Sequence, residues 1–387
     1  MEQELPGPLS GTTVVDLTRV LAGPYCTLLL AELGARVIKV ERPPGGDDAR
    51  SIGPFLDGSS AYFLSLNRGK ESIALDLRSA EDRGIFEALL ARADVLAENF
   101  RPGVLERLGY GWEHLRRRHP SLILASTSGF GQTGPRAARP AYDLVAQAMG
   151  GLMSLTGPPG GPPARVGTSI GDLAAGLFTA LGVVAALCER HRTGQGCQVD
   201  VAMLDCQVAL LENAMARFGA TGEVPGPLGT RHPSIAPFQA FRAADGELVI
   251  AAGNDALFQK LCQVLGRSEL ADDPRFSSNS ERTRHVAELA AALEETLGQA
   301  EVAHWLGRLE AAGIPSGPIQ DIAQVMRDPQ LRERNMVVQM VGSPAGPVAM
   351  PDNPIKLSGH LDPSTRPAAP ELDADRGRIL EELGLSG

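Results

Sequence analysis

The sequence predicts an α/β protein: a mostly parallel sheet covered by helices, with a smaller second α/β domain. Three observations lead there. Over the first 200 residues β-branched runs alternate with amphipathic helical stretches, the pattern of successive βαβ units. From about Gly219 the character changes to a Gly/Pro-rich stretch, GATGEVPGPLGTRHPSIAP, and a separate compact segment follows. The length of 387 residues exceeds what one hydrophobic core usually organises.

TTVVDL (12–17) and ARVIKVE (35–41) are strands flanking a helix, YCTLLLAELG, that ends in a glycine. SIALDL (72–77) precedes the amphipathic SAEDRGIFEALLARA. DVLAENF (94–100), SLILASTSGFG (121–131) and QVDVAML (198–204) are further strands, and a helix through Met215 follows the last. The later segment holds a strand, ELVIAA (247–252), the helix ALFQKLCQVLG, and helices around 284–296 and 300–312. GIPSGPI (313–319) breaks this pattern. The tail carries MVVQMV, NPIKLSG (353–359) and a short helix, RGRILEELGL.

Composition narrows the function classes. A hydrophobic fraction of 43% with 21% charged residues is that of a soluble globular protein. A net charge of -10 argues against nucleic-acid and anionic-membrane partners, which need a basic face, so any anionic ligand requires a local basic patch. The five cysteines show no CxxC spacing, and Cys26, Cys188 and Cys206 are expected as small core residues. The opening MEQELPGPLSG lacks the features of a signal peptide, and the apolar run 177–188 is too short to span a bilayer. A cytoplasmic protein is expected.

GFGQTG (129–134) matches G-x-G-x-x-G after a strand, but Pro135, Arg136 and Pro140 follow where a phosphate-binding helix should open. It is expected as a loop, with a helix beginning only near Tyr142. The seven histidines are dispersed without zinc-type spacing, and G-x-S-x-G is absent. One carboxylate stands out. In VGTSIGDLAAGLFTALGVVAAL, Asp172 separates a small-residue loop from an apolar run without another charge. It can cap a buried helix, or it can serve chemistry, with helix amides and dipole keeping it ionised and aimed outward. The two readings are compatible.

PLSGTTVVDLTRVLAGPYC, LGARVIKVERPPGGDDAR, LNRGKESIALDL, DVLAENFRPGVLERLG, SGFGQTGP, YDLVAQAMGGL, GTSIGDLAAG and HRTGQGCQVDVAML occur in this order. Together with GIPSGPI, DPQLRERNM and NPIKLSG, they make nearly the whole chain resemble the class III CoA-transferases, a family that includes formyl-CoA transferase, carnitine CoA-transferase and α-methylacyl-CoA racemase. The resemblance implies a Rossmann-like large domain over 1–204, a linker over 205–235 and a small domain over 236–312. Residues 313–387 would supply a return linker and a C-terminal segment rejoining the large domain. Two such subunits would interlock as a homodimer.

For chemistry, the resemblance implies that Asp172 of Gly171-Asp172 is the nucleophile, with CoA thioesters as substrates and no tightly bound cofactor or metal. Tyr142 stands where the racemases carry their His, which favours transfer of CoA from a donor such as succinyl-CoA to a small mono- or dicarboxylic acid. The alternatives are an acyl-CoA racemase or epimerase, or a non-catalytic CoA-binding protein. Val20, Ala22, Arg42, Leu75, Arg78, Asn99, Phe100 and Arg107 match the CoA-binding segments. Leu21, in place of the Gln of formyl-CoA transferase, lies with Tyr142, Gly229 and His232 among the acyl-pocket candidates. The loop around Gly229 and His232 is the expected cover, although it lacks the long glycine run of formyl-CoA transferase.

Overall fold

The computed structural model describes residues 7–343 and 346–385. The chain divides into two compact units. The first comprises residues up to Met153, Arg165–Glu223 and the chain from Pro329; the second comprises Ser154–Ala164 and Val224–Asp328. The stretch 205–223, expected as part of a linker, is largely helical and belongs to the first unit. Its turn-forming residues come later than the linker's expected start, so the preceding helical pattern simply continues.

In chain order, the first unit contains β1 (Thr13–Asp16), α1 (Ala22–Glu32), β2 (Arg36–Glu41), α2 (Ala61–Asn67), β3 (Glu71–Ala74), α3 (Ala80–Leu90) and β4 (Val95–Glu98). It continues with α4 (Val104–Arg107), α5 (Trp112–Arg118), β5 (Ile123–Ser128), α6 (Asp143–Met149), α7 (Leu152–Leu155, at its border), α8 (Ile170–Thr193), β6 (Gln198–Ala202), α9 (Met203–Leu210) and α10 (Glu212–Thr221). The six strands form one parallel sheet in the order β3-β2-β1-β4-β5-β6, a doubly wound arrangement. Burial on both faces explains why β4 and β5 are buried throughout and why the strands are rich in aliphatic residues. Val15, Ile38, Ile73, Leu96 and Phe86 pack on one side of the sheet; Val14, Val37, Val95, Leu30 and Val183 pack on the other.

Helix α8 runs for 24 residues and ends at Gly194, whose φ of 73° lets the chain turn out of the helix. By length and composition alone it is a helix that could cross a membrane. Here one side of it lies on the sheet and α1: Val183 and Ala180 join the core, and a Cβ at Gly176 would come within 2.6 Å of the Ala22 carbonyl oxygen. Glycine at 176 therefore permits close approach of two helix backbones. Cys26 and Cys206 are buried as expected, but Cys188 is exposed. The apolar run alone could not show which side of α8 faces outward.

The tail returns to the first unit through a small sheet of strands Val337–Val341, Val348–Pro351 and Thr365–Pro367 and a helix, Arg376–Leu383. Asp373 and Asp375 accept hydrogen bonds from the Ala74 and Ser72 amides, so side chains occupy the free edge of β3. The second unit has an antiparallel sheet of Phe238–Arg242, Glu247–Ala251 and Ser316–Pro318, covered by helices that include Asp255–Leu265, Val286–Leu297 and Val302–Ala311. Its core contains Phe241, Ile250, Phe258 and Trp305, and the buried Arg282 donates to the carbonyls of Ala236, Gly253 and Phe276 and to Asp255.

A charged network lies inside the first unit. Lys70 Nζ reaches Asp16 (3.2 Å), Thr27 Oγ1 (2.7 Å) and Asn67 Oδ1 (3.0 Å), while Lys39 Nζ pairs with Asp47 at 2.9 Å. Burial alone would raise the pKa of Asp16; the charges of Lys70 and Lys39 and the hydroxyls of Thr18 and Thr27 more than offset it and hold the carboxyl below its ordinary range. Replacing Asp16 by Ala leaves buried ammonium groups without this partner and should destabilise the protein by about 3–5 kcal/mol in chemical denaturation. Because the folded pKa is depressed, this contribution is full above the unfolded value of about 3.9 and is lost as pH falls through the folded value. The difference between wild type and Asp16→Ala should accordingly shrink in acid.

Candidate functional site

The strand order reverses between β1 and β4, and their C-terminal ends diverge there to leave a crevice, the usual ligand position in open α/β sheets. The turn after β1 forms one wall. Val20 in it has φ 66°, a strained conformation for a β-branched residue. Its surroundings hold it there. The Val20 amide donates to Asp47 Oδ1 (3.0 Å), and the Asn99 side chain brackets the Arg19 peptide, accepting from its amide at 2.9 Å and donating to its carbonyl at 2.8 Å. Asn99, expected to contact CoA, thus spends its amide on positioning this turn.

Two connected recesses open along the crevice. The larger, ≈ 400 Å³, has apolar walls from Leu17, Val40, Leu75, Leu77, Val104 and Leu108, with Arg19, Arg42, Arg78 and Arg101 around it. The smaller, ≈ 150 Å³, is lined by Val20, Leu21, Ala22, Asn99, Thr127, Arg139, Pro140, Tyr142, Asp172 and Met203, among others. Arg19, Asp48, Phe100 and Arg101 line both and mark the junction. Arg19 is paired with Asp48 at 3.0 Å and Arg78 bidentately with Asp76, whereas Arg42, Arg101 and Arg139 form no ion pair among the described residues. The crevice therefore joins an arginine-rimmed apolar slot to a small recess holding a carboxylate.

Most of the residues singled out by sequence line this crevice. Val20, Leu21, Ala22, Asn99, Phe100, Tyr142 and Asp172 line the smaller recess; Arg42, Leu75, Arg78 and Phe100 line the larger. Arg107 lines neither. It is exposed on α4, and Val104 is the α4 side chain that faces the slot. Gly229 and His232 belong to the second unit, where the Gly229 amide donates to the Gly157 carbonyl, and the His232 ring sits 5.3 Å from Phe238 while its Nδ1 accepts the Ser234 amide. Arg19, Arg101 and Arg139 were not singled out by sequence. Arg101 follows Asn99-Phe100 directly, so its place in the motif was the available signal.

Asp172 is the third residue of α8. The expectation that helix amides keep it ionised needs correction. The Gly171 amide donates instead to Asp143 Oδ1 at 2.8 Å, and Asp143 also accepts from the Gln147 side chain at 2.8 Å. A Cβ at position 171 would lie 2.9 Å from Asp143 Oδ1, so glycine there admits the capping carboxylate from α6. Burial, and then the Asp143 charge, push Asp172 up to about 7. Tyr62 faces the same charges: burial, then Asp172, Asp47 and Asp143, raise its phenol to about 12. Tyr142 immediately precedes α6 and is 76% exposed.

Comparison with known proteins accords with this geometry. The model of CoA-transferase family III matches residues 9–376. Acetyl-CoA:oxalate CoA-transferase of Acetobacter aceti is 50% identical over 97% of this chain and 96% of its own. Succinyl-CoA:glutarate CoA-transferase of Mus musculus is 41% identical over 97% of this chain and 86% of its own. Among solved structures, a CAIB/BAIF family protein from Brucella suis superposes with a TM-score of 0.86 at 42% identity, covering 98% of this chain and all (100%) of that one. With a family match over nearly its whole length and a sheet, crevice and carboxylate arranged to suit, the chain belongs to CoA-transferase family III.

Proposed function

We propose that this CoA-transferase works through Asp172 as a covalent nucleophile, moving CoA from an acyl-CoA donor to a short carboxylic acid. The observation that carries this reading is the position of Asp172 in a small recess that shares Arg19, Asp48, Phe100 and Arg101 with the arginine-rimmed slot. The slot suits CoA: its aliphatic walls accept a flat base, and Arg42, Arg101 and Arg19 supply the local cations that phosphates require against a net charge of -10. Phe100 and the turn Val20–Ala22 then border the path of the pantetheine toward Asp172.

In the first step the Asp172 carboxylate attacks the thioester carbonyl, the C–S bond breaks, and CoA leaves as thiolate with a mixed anhydride behind it. The thiolate attacks the Asp172 carbonyl, giving an aspartyl-CoA thioester and releasing the donor acid. The acceptor carboxylate attacks that thioester, CoA leaves again, and its thiolate takes the acceptor's acyl carbon and frees Asp172. Covalent catalysis here divides one difficult exchange into activated steps. A racemase of this family would need an imidazole as proton shuttle where this chain has Tyr142. The names of the relatives support succinyl-CoA or acetyl-CoA as donor and a dicarboxylate as acceptor. We further propose a homodimer, supported by the exposed apolar side chains Leu177, Phe178 and Leu181 on α8.

Asp172→Asn keeps the shape but cannot form the anhydride, so it should abolish CoA exchange while CoA still binds. Wild type incubated with acyl-CoA and then hydroxylamine should carry a hydroxamate at Asp172, located by mass spectrometry. Substantial exchange by the Asn variant would overturn the mechanism.

The pH profile gives a second test. Only the ionised carboxylate attacks, so kcat/KM for the donor should fall as pH drops below about 7. Asp143→Asn retains an acceptor for the Gly171 amide but removes the neighbouring charge, so this limb should move to lower pH. Glu98, buried at the end of β4 and raised to about 7 chiefly by burial, also titrates in this range. A limb unmoved by Asp143→Asn would assign the profile to a group other than Asp172.

The arginines divide by position. Arg42→Ala should weaken CoA binding by about 1.5–3 kcal/mol if it meets a phosphate, whereas the exposed Arg107→Ala should change it little. Calorimetric titration of both variants with CoA and dephospho-CoA checks this and shows whether Arg42 serves the 3′-phosphate.

A further inference from the structure

We infer that Arg139 is a specificity-determining residue that holds the second carboxylate of a dicarboxylic acid while the first reacts at Asp172. This inference deepens the proposed function and rests on it for the direction of the chemistry.

The charges lining the two recesses distinguish Arg139 from the other cations. Arg42 and Arg78 line only the larger slot, and Arg19 and Arg101 sit at the junction, where they also line that slot. Arg139 is the arginine that lines the Asp172 recess alone, and it forms no ion pair among the described residues. Much of the remaining lining is apolar or small: Val20, Leu21, Ala22, Pro140, Ala141 and Met203. A monocarboxylate uses its one charged group in the reaction itself. An uncommitted guanidinium in the same recess matches a second carboxylate, which it can bind through paired, charge-assisted hydrogen bonds. The ≈ 150 Å³ of the recess suits a short diacid.

The loop that carries Arg139 is anchored at both sides. It leaves β5 through Gly129, where a Cβ would stand only 2.4 Å from that of Ala141, so the two ends of the loop close on each other. The Gln132 amide donates to the Asp200 carboxylate, the Gly131 amide to Ser128 Oγ, and the Arg139 amide to the Arg136 carbonyl. Pro140 follows with its restricted φ. The G-x-G-x-x-G stretch thus shapes a loop that returns to the crevice and presents Arg139 and Tyr142 beside the end of β5.

The test compares acceptors of similar length with succinyl-CoA as donor: glutarate against butyrate, and oxalate against acetate. Wild type should prefer the diacids. In Arg139→Gln the ratio of kcat/KM for diacid over monoacid should fall roughly ten- to hundredfold, the loss of one charge-assisted contact, mainly through a higher acceptor KM. Arg139→Lys should retain part of the preference, and matched thermal melting of the variants shows that folding is unaffected. An equal fall for diacids and monoacids would overturn the inference and assign Arg139 to charge on the reacting acyl group. A wild type without diacid preference, or a loss appearing in the KM for succinyl-CoA instead, would overturn it as well. If Asp172→Asn kept its activity while Arg139→Gln lost selectivity, the nucleophile assignment would fall and the role of Arg139 would stand.

Discussion

The turn that bounds the crevice depends on charges buried beneath it. Asp16, at the end of β1, accepts from the Thr18 amide and hydroxyl and from Thr27, and pairs with Lys70; Lys39 pairs with Asp47 and donates to the Thr18 carbonyl. Asp47 in turn receives the Val20 amide. Buried ionised groups are costly unless every one is paired, as these are. The network joins β1, β2, α1, α2 and the loop at Asp47 into one unit. It supports a left-handed valine that an isolated turn would not hold.

The same economy of polar groups operates at the head of α8. A helix N-terminus has more amide donors than acceptors, and one acceptor arrives from another helix: Asp143 takes the Gly171 amide. Asp172, one residue further on, is left facing the recess with a neighbouring negative charge and little solvent. Its proton affinity rises toward neutrality for that reason. A carboxylate so placed gains basicity at the expense of its ionised fraction.

The electrostatics of the crevice run against those of the whole protein. A chain carrying a net charge of -10 places four arginines around one slot, two of them already paired with Asp48 and Asp76. Those acidic partners hold the two side chains near the rim. Arg42 and Arg101 have no such partner among the described residues. The basic, apolar-walled slot and the smaller recess lined by Asp172 and Asp48 therefore differ in character although they share Arg19, Asp48, Phe100 and Arg101.

Six strands, the helices between them and the break in character after the sheet were legible in local sequence, because alternation of β-branched and amphipathic runs is a property of neighbouring residues. Gly171-Asp172 and its apolar helix were legible too, as was the loop character of GFGQTG, since the prolines that follow lack the amide N–H groups a nucleotide motif presents to phosphate. The small-residue run in α8 did not reveal that Cys188 faces outward, and the helical structure expected through Met215 extends to Thr221, within what was expected as a linker from residue 205. Tertiary structure alone decided which arginines share a recess: Arg107 and Arg101 lie six positions apart, yet only Arg101 lines the crevice, and Arg139 joins Asp172 from a distant loop. It also decided what raises the pKa of Asp172, its burial and then the charge of Asp143. A helix position predicts an available amide, but the acceptor that captures it came from residue 143, through a contact that exists only once α6 and α8 have packed.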